Sequence, residues 1–182
     1  MGQPLMGQTL AGQLIRLYAQ IAVLRRGPQD VPASTLLLVV TVIGYFLINA
    51  AVNAVLPPSD AAWLPHLLLE IGFNLAWYAL WLKLVRRPER ILQTTTAVFG
   101  FQAVLSPIMI VSDWLALRFQ HDAFWQLPFS LIVLVLLIWL IAALGNVVKA
   151  ALEWSGPASV ALAILQVLVE SLLAVWISGL KP

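Results

Sequence analysis

Three stretches of this chain, residues 31–59, 91–112 and 123–148, contain no charged side chain. A helix needs about 20 consecutive apolar residues to cross a hydrocarbon core of about 30 Å, so each stretch is long enough to span a bilayer. Two more, 61–82 and 154–180, are interrupted by one acid apiece, Glu70 and Glu170. Backbone amides cannot go unpaired in lipid, and none of the five stretches alternates like a barrel strand. The sequence therefore predicts an all-α polytopic membrane protein. Its five transmembrane helices are expected at about 33–56, 63–83, 93–117, 124–148 and 157–180, as one bundle over 31–182.

Composition agrees and excludes whole classes of function. Only 10% of the 182 residues are charged, against about a quarter in a soluble globular domain. With 62% hydrophobic residues and a mean hydropathy of +0.94, a soluble enzyme, a disordered tail and a secreted domain are all excluded. The chain has no cysteine, which removes disulfides, thiolate metal sites, iron–sulfur clusters and cysteine nucleophiles. Its net charge of +2 comes from basic residues scattered between spans, which read as orientation signals and not as a nucleic-acid footprint.

The breaks fall at Pro57-Pro58-Ser59-Asp60, Arg87-Pro88-Glu89, Gln120-His121-Asp122 and Ser155-Gly156-Pro157, where turn chemistry expects them. Connections this short leave no room for a soluble catalytic domain. The first apolar run lacks a small-residue cleavage site and is expected to be a retained span. Arg16, Arg25, Arg26, Lys83, Arg86, Arg87, Arg90 and Lys149 fall on one side of the threading, against Arg118 and Lys181 on the other. The positive-inside rule then places the N-terminus in the cytoplasm and the C-terminus outside. Trp63, Trp114, Trp125 and Trp176 come near the outer interface, Trp81 and Trp154 near the inner one. Trp139, in mid-span, is expected to pack against another helix or the lipid tails.

Residues 1–30 are a different kind of element. Leu10, Leu14, Leu17, Ile21 and Leu24 recur at spacings of 4, 3, 4 and 3, which predicts an amphipathic helix closed by Gly27-Pro28. It is expected to lie on the cytoplasmic leaflet, with Arg16, Arg25 and Arg26 toward anionic headgroups at about 1 kcal/mol each. Lys83, Arg86, Arg87 and Arg90 extend the same lipid-contacting surface. The alternative is a helix that docks a partner.

Polar residues within the spans gather in the outer half. His66, Glu70 and Asn74 follow at i, i+4 and i+8, and Gln166 with Glu170 and Asn49 with Asn53 at i, i+4, so each set lines one helix face. These seven form a candidate intramembrane polar site. Acids at such depth cost a few kcal/mol and are expected to be paired, wet or protonated. Glu70 is expected to be largely protonated near neutral pH and to donate a hydrogen bond across the bundle to Asn49, Asn53 or Gln166. Two readings stay open: interhelical hydrogen bonds worth about 0.6–2 kcal/mol each, or a cavity that binds a cation, a proton or a polar lipid group.

No reaction motif accompanies them. The second histidine and intervening glutamate of a zincin are missing, as are a Walker loop, a Gly-x-Ser-x-Gly elbow and an aspartate cluster for magnesium. No catalytic residue, resident metal or cofactor is expected. Pro107 is expected to kink the third span. The function expected is that of a non-enzymatic membrane protein that organises or assists a membrane complex or the local lipid. Its expected partners are the bilayer, anionic lipids, a second copy or another membrane protein. The alternative is a small permease or channel subunit using the polar cluster.

Thr94-Thr95-Thr96-Ala97-Val98-Phe99-Gly100, and Arg25-Arg26-Gly27-Pro28-Gln29-Asp30-Val31-Pro32-Ala33-Ser34, look like stretches of small bacterial inner-membrane proteins. Together with the five spans and the amphipathic N-terminal part, the chain resembles the bacterial branch of the Yip1-like family. That resemblance implies a five-helix bundle in a bacterial inner membrane. It carries over no functional residue.

Overall fold

The structure, a computed structural model, describes residues 10–56 and 63–179. The break at Pro57-Pro58-Ser59-Asp60, the last residue of the fifth expected span and Lys181 lie outside the described residues. Among the described residues, six α-helices run in order: α1 Leu10–Ala22, α2 Thr35–Val55, α3 Trp63–Leu84, α4 Ile91–Arg118, α5 Gln126–Leu152 and α6 Gly156–Gly179. Helices α2 to α6 are each long and apolar enough to cross a membrane. The fold is the expected one, an integral membrane bundle of five spanning helices with an amphipathic helix before them. Its outer faces are apolar stripes at helical spacing, such as Leu36, Val40, Ile43 and Leu47 on α2 and Leu168, Leu172 and Val175 on α6, all exposed toward the place of lipid.

The helix ends follow local chemistry. Ser34 caps α2, its hydroxyl accepting from the Leu37 amide at 3.3 Å. A 3-10 turn, Pro88–Arg90, feeds α4, which starts at Ile91 instead of the expected 93. Asp122 Oδ1 accepts from the amides of Phe124 and Trp125 just before α5 begins. Helix α5 runs on to Leu152, past the expected end at 148, because exposed Lys149 suits a last turn where the helix dipole favours a cation. Pro107 sits inside α4 without ending it.

Helix α4 is the hub. Over its most apolar stretch 56% is covered by the rest of the protein, against 17–28% in the other four spans. Every residue from Thr94 to Gln102 is buried, as α1, α2, α3 and α5 close around it. Small and β-branched side chains dominate that run and let neighbouring backbones approach. Thr95 returns its hydroxyl to the Ile91 carbonyl at 2.6 Å, so it burdens the apolar surroundings with no free donor.

The amphipathic α1 is more than a float on the leaflet: its apolar face is buried by the bundle at Tyr18, Ile21 and Ala22 and half-buried at Leu14 and Leu17. Tyr18, Ile21 and Ala22 are buried in the same core as Val98, Phe101 and Leu144. Gly100 makes room, since a Cβ there would overlap the Tyr18 ring. The Tyr18 and Thr41 hydroxyls lie 2.8 Å apart, and Trp139 Nε1 donates to the Ala22 carbonyl at 2.6 Å. This explains the mid-span tryptophan, which satisfies an orphan carbonyl at the end of α1. Arg16, Arg25 and Arg26 are exposed, on the far side of the buried face.

At the basic end one acid organises the chain. Glu153, which closes α5 in the left-handed region at φ 56°, receives Arg87 at 2.5 Å through both oxygens and Arg90 at 2.6 Å. Arg90 also donates to the carbonyls of Ala150 and Ala151 at 3.1 Å each. The expected role of Arg87 and Arg90 as lipid contacts is therefore modified: their guanidiniums bind Glu153, tying the start of α4 to the end of α5. The hydrogen bonds from Arg87 and then Arg90 pull the Glu153 carboxyl down from 4.5 to about 2. A carboxyl depressed in the folded state stabilises fully above its unfolded value, and that contribution fades as pH falls from about 4.5 toward 2. Glu153 is half exposed, so solvent and salt screen the effect. Glu153→Gln is expected to lower the unfolding temperature slightly at pH 7 and low salt, with most of that deficit gone by pH 2. An equal deficit at both pH values would contradict the clasp.

Candidate functional site

The polar stripes expected from sequence meet inside the bundle, and two tyrosines complete them. On α3 the stripe runs His66, Glu70, Asn74 and, one turn further, Tyr78; on α2 it begins a turn earlier, at Tyr45, before Asn49 and Asn53. Glu70 lies about 10 Å in from the Trp63 end of its helix, at about 1.5 Å per residue. Burial is strongest around the middle, with Asn74 and Gln166 fully enclosed and Tyr45 and Tyr78 nearly so.

The hydrogen bonds form two groups. In the first, the Tyr78 hydroxyl donates to Gln166 Oε1 at 2.9 Å, and Gln166 Nε2 donates to Asn74 Oδ1 at 2.9 Å. Asn74 Nδ2 then donates to the Glu70 carbonyl at 2.9 Å and to Glu170 Oε1 at 3.4 Å. This group staples α3 to α6. In the second, the Tyr45 hydroxyl donates to Glu70 Oε1, and Asn49 Nδ2 donates to the Tyr45 carbonyl at 2.8 Å and to Ser106 Oγ at 3.2 Å. This group joins α2 to α3 and α4. Glu70 takes part in both, through its carboxylate in one and its carbonyl in the other.

The structure thus brings Glu70, Asn74, Gln166 and Glu170 together, with Asn49 beside them. Glu70 pairs with Tyr45 and not with Asn49, Asn53 or Gln166, since the tyrosine's longer side chain bridges α2 and α3. Asn53 Nδ2 donates to the Asn49 carbonyl at 2.9 Å, a bond within its own helix, and does not join the interhelical network. His66 stands one turn from Glu70 toward the Trp63 end, half-buried. Among the described residues no group of three or more His, Cys, Asp or Glu could hold a metal ion.

The residues that sequence reasoning missed are Tyr45, Tyr78, Gln102 and Ser106. A signal was present: Tyr45 and Tyr78 extend the two stripes at i±4, and Gln102 and Ser106 make a third i, i+4 pair on α4. Comparison with protein-family models, with curated proteins and with solved structures finds no match for this chain.

Proposed function

We propose that this is a non-enzymatic integral membrane protein that organises or assists a membrane complex or its local lipid, by gathering anionic lipid around its basic end. The observation that carries the proposal is the distribution of free charge. Arg25, Lys83, Arg86 and Lys149 are exposed around the end that the Arg87–Arg90–Glu153 clasp holds together, and their side chains make no hydrogen bond or ion pair to the described residues. Long basic side chains at a helix end reach the headgroups while their stems stay in apolar surroundings. The pairing of the intramembrane amides and acids among themselves further supports a holding role for them over chemistry.

In this reading the basic end faces the cytoplasm, by the positive-inside rule, in a bacterial inner membrane. The Yip1-like architecture belongs to the same proposal, at the level of helix number and an amphipathic lead-in. Brominated lipids test the lipid preference, because bromine quenches nearby tryptophan and Trp81 and Trp154 pack edge-to-face at the basic end. Brominated phosphatidylglycerol is expected to outcompete brominated phosphatidylcholine by about threefold or more at low salt, and the advantage is expected to shrink when Arg25, Lys83 and Arg86 become Gln. Equal quenching by the two lipids, in a protein that is strictly monomeric, would end the proposal.

A further inference from the structure

Between α1 and α2, over α4, lies an apolar groove of about 570 Å³. Its walls include Leu37, Gly44 and Ile48 of α2, Leu14 and Ile15 of α1, and Val104 of α4. Sites of about 300–1,000 Å³ are large enough to hold a small ligand. The hydroxyls that border the groove are already engaged. Thr41 gives its proton to the Leu37 carbonyl at 2.7 Å, so the Tyr18 hydroxyl donates to Thr41 Oγ1 at 2.8 Å, and the Tyr45 hydroxyl donates to Glu70. What the groove offers is therefore hydrocarbon surface, and an apolar hollow of this kind stays dry. Left unfilled, it forfeits dispersion contacts along its whole lining.

Length, depth and exposure identify the occupant. The groove follows α2 from Leu37 in its first turn to Ile48 just past its middle, about 16 Å at about 1.5 Å per residue. That matches one leaflet, half of a hydrocarbon core of about 30 Å. Leu37 lies at the basic end, where α3 finishes with Lys83 in its last turn. The groove also opens sideways: Ile15, Val40 and Ile48 among its walls are exposed, and Val40 belongs to the apolar stripe that α2 turns toward lipid. It is thus continuous with the lipid-facing surface. Gly44 widens it, since a Cβ there would meet nothing within 4 Å. We propose that this groove holds one acyl chain of a phospholipid from the leaflet at the basic end, lying along α2 with its headgroup at the Leu37 end. The inference concerns the chain of the lipid and not its headgroup, so it stands independently of the preference proposed for anionic lipid.

Native mass spectrometry of the full chain, purified in detergent and washed until loosely held lipid is gone, reads the occupant. The probe is palmitoyl-oleoyl phosphatidylcholine, whose headgroup has no net charge, so attraction of the basic side chains to anionic lipid does not contribute. The parent is expected to keep about one phospholipid per chain, because an acyl chain touched by three helices exchanges more slowly than one on an open helix face. Gly44→Phe, which puts a ring into the groove, is expected to lower the retained fraction by about tenfold or more. Gly72→Phe makes the same change on α3, away from the groove, where a Cβ also meets nothing within 4 Å, and is expected to keep the lipid. Phenylalanine is a better helix former than glycine, so both variants are expected to fold. A parent that keeps no lipid, equal retention or equal loss in the two variants, or a second copy of the chain bound in place of lipid overturns the proposal.

Discussion

Glu70→Leu is expected to destabilise the bundle by about 1–3 kcal/mol, while Glu70→Gln changes it by well under 1 kcal/mol. The difference follows from the hydrogen bond to Tyr45. That tyrosine is 2% exposed and its hydroxyl has no acceptor but Glu70 among the described residues. Leucine leaves the hydroxyl orphaned in apolar surroundings, where the cost is that of desolvation without compensation. Glutamine keeps a carbonyl oxygen in place, so the bond survives. Thermal unfolding in detergent reads this difference directly. Should glutamine prove as damaging as leucine there, the carboxylate is required as an anion and the hydrogen-bonding role assigned to it is wrong.

Gly100→Leu is expected to release α1 from the bundle, and Gly100→Ala to weaken its seating. The position of a Cβ at residue 100 coincides with the body of the Tyr18 ring, which is held on its other side by the bond to Thr41. The ring cannot step aside without giving up that bond and the packing of Ile21 and Ala22. Overpacking of this kind costs about 1–3 kcal/mol, partly offset for alanine by a helix-propensity gain of up to about 1 kcal/mol. Gly44 on α2 is the control, because a Cβ there meets nothing within 4 Å and alanine is expected to be neutral or mildly stabilising. Since the chain has no cysteine, a single Ala22→Cys serves as the reporter. It is expected to resist a maleimide in the parent background and to react readily when Gly100 is leucine. Equal reactivity in both backgrounds would show that α1 is not seated as described.

What could be read from the sequence divides along physical lines. Asn49, Glu70, Asn74, Gln166 and Glu170 stood out because polar groups in apolar helices are expensive and their i, i+4 spacing fixes a shared face. Tyr45 and Tyr78 did not, since a tyrosine reads as apolar until the partner of its hydroxyl is known, and that partner lies on another helix. The seating of α1 was illegible for a related reason. Its amphipathic pattern announces an apolar face, but whether lipid or protein covers that face depends on one glycine eighty residues on, and small residues within spans are common. Glu153 was hidden differently: it follows a helix end with no pattern around it, and its two arginines come from a connection whose charges had an adequate explanation as orientation signals. Boundaries moved where caps and turns decide them, at Ser34, at Pro88–Arg90 and around Lys149.

The most direct test of the threading, with its basic end inside and the polar layer between, is labelling of single cysteines in intact cells with a maleimide that cannot cross the membrane. Arg86→Cys and Ser155→Cys lie at the clasped basic end, and His121→Cys lies at the opposite end between α4 and α5. The expected result is labelling of His121→Cys in intact cells, and of the other two only after permeabilisation. Labelling of Arg86→Cys in intact cells, or of Arg86→Cys and Ser155→Cys from opposite sides, would contradict the orientation in the first case and the five-span bundle itself in the second.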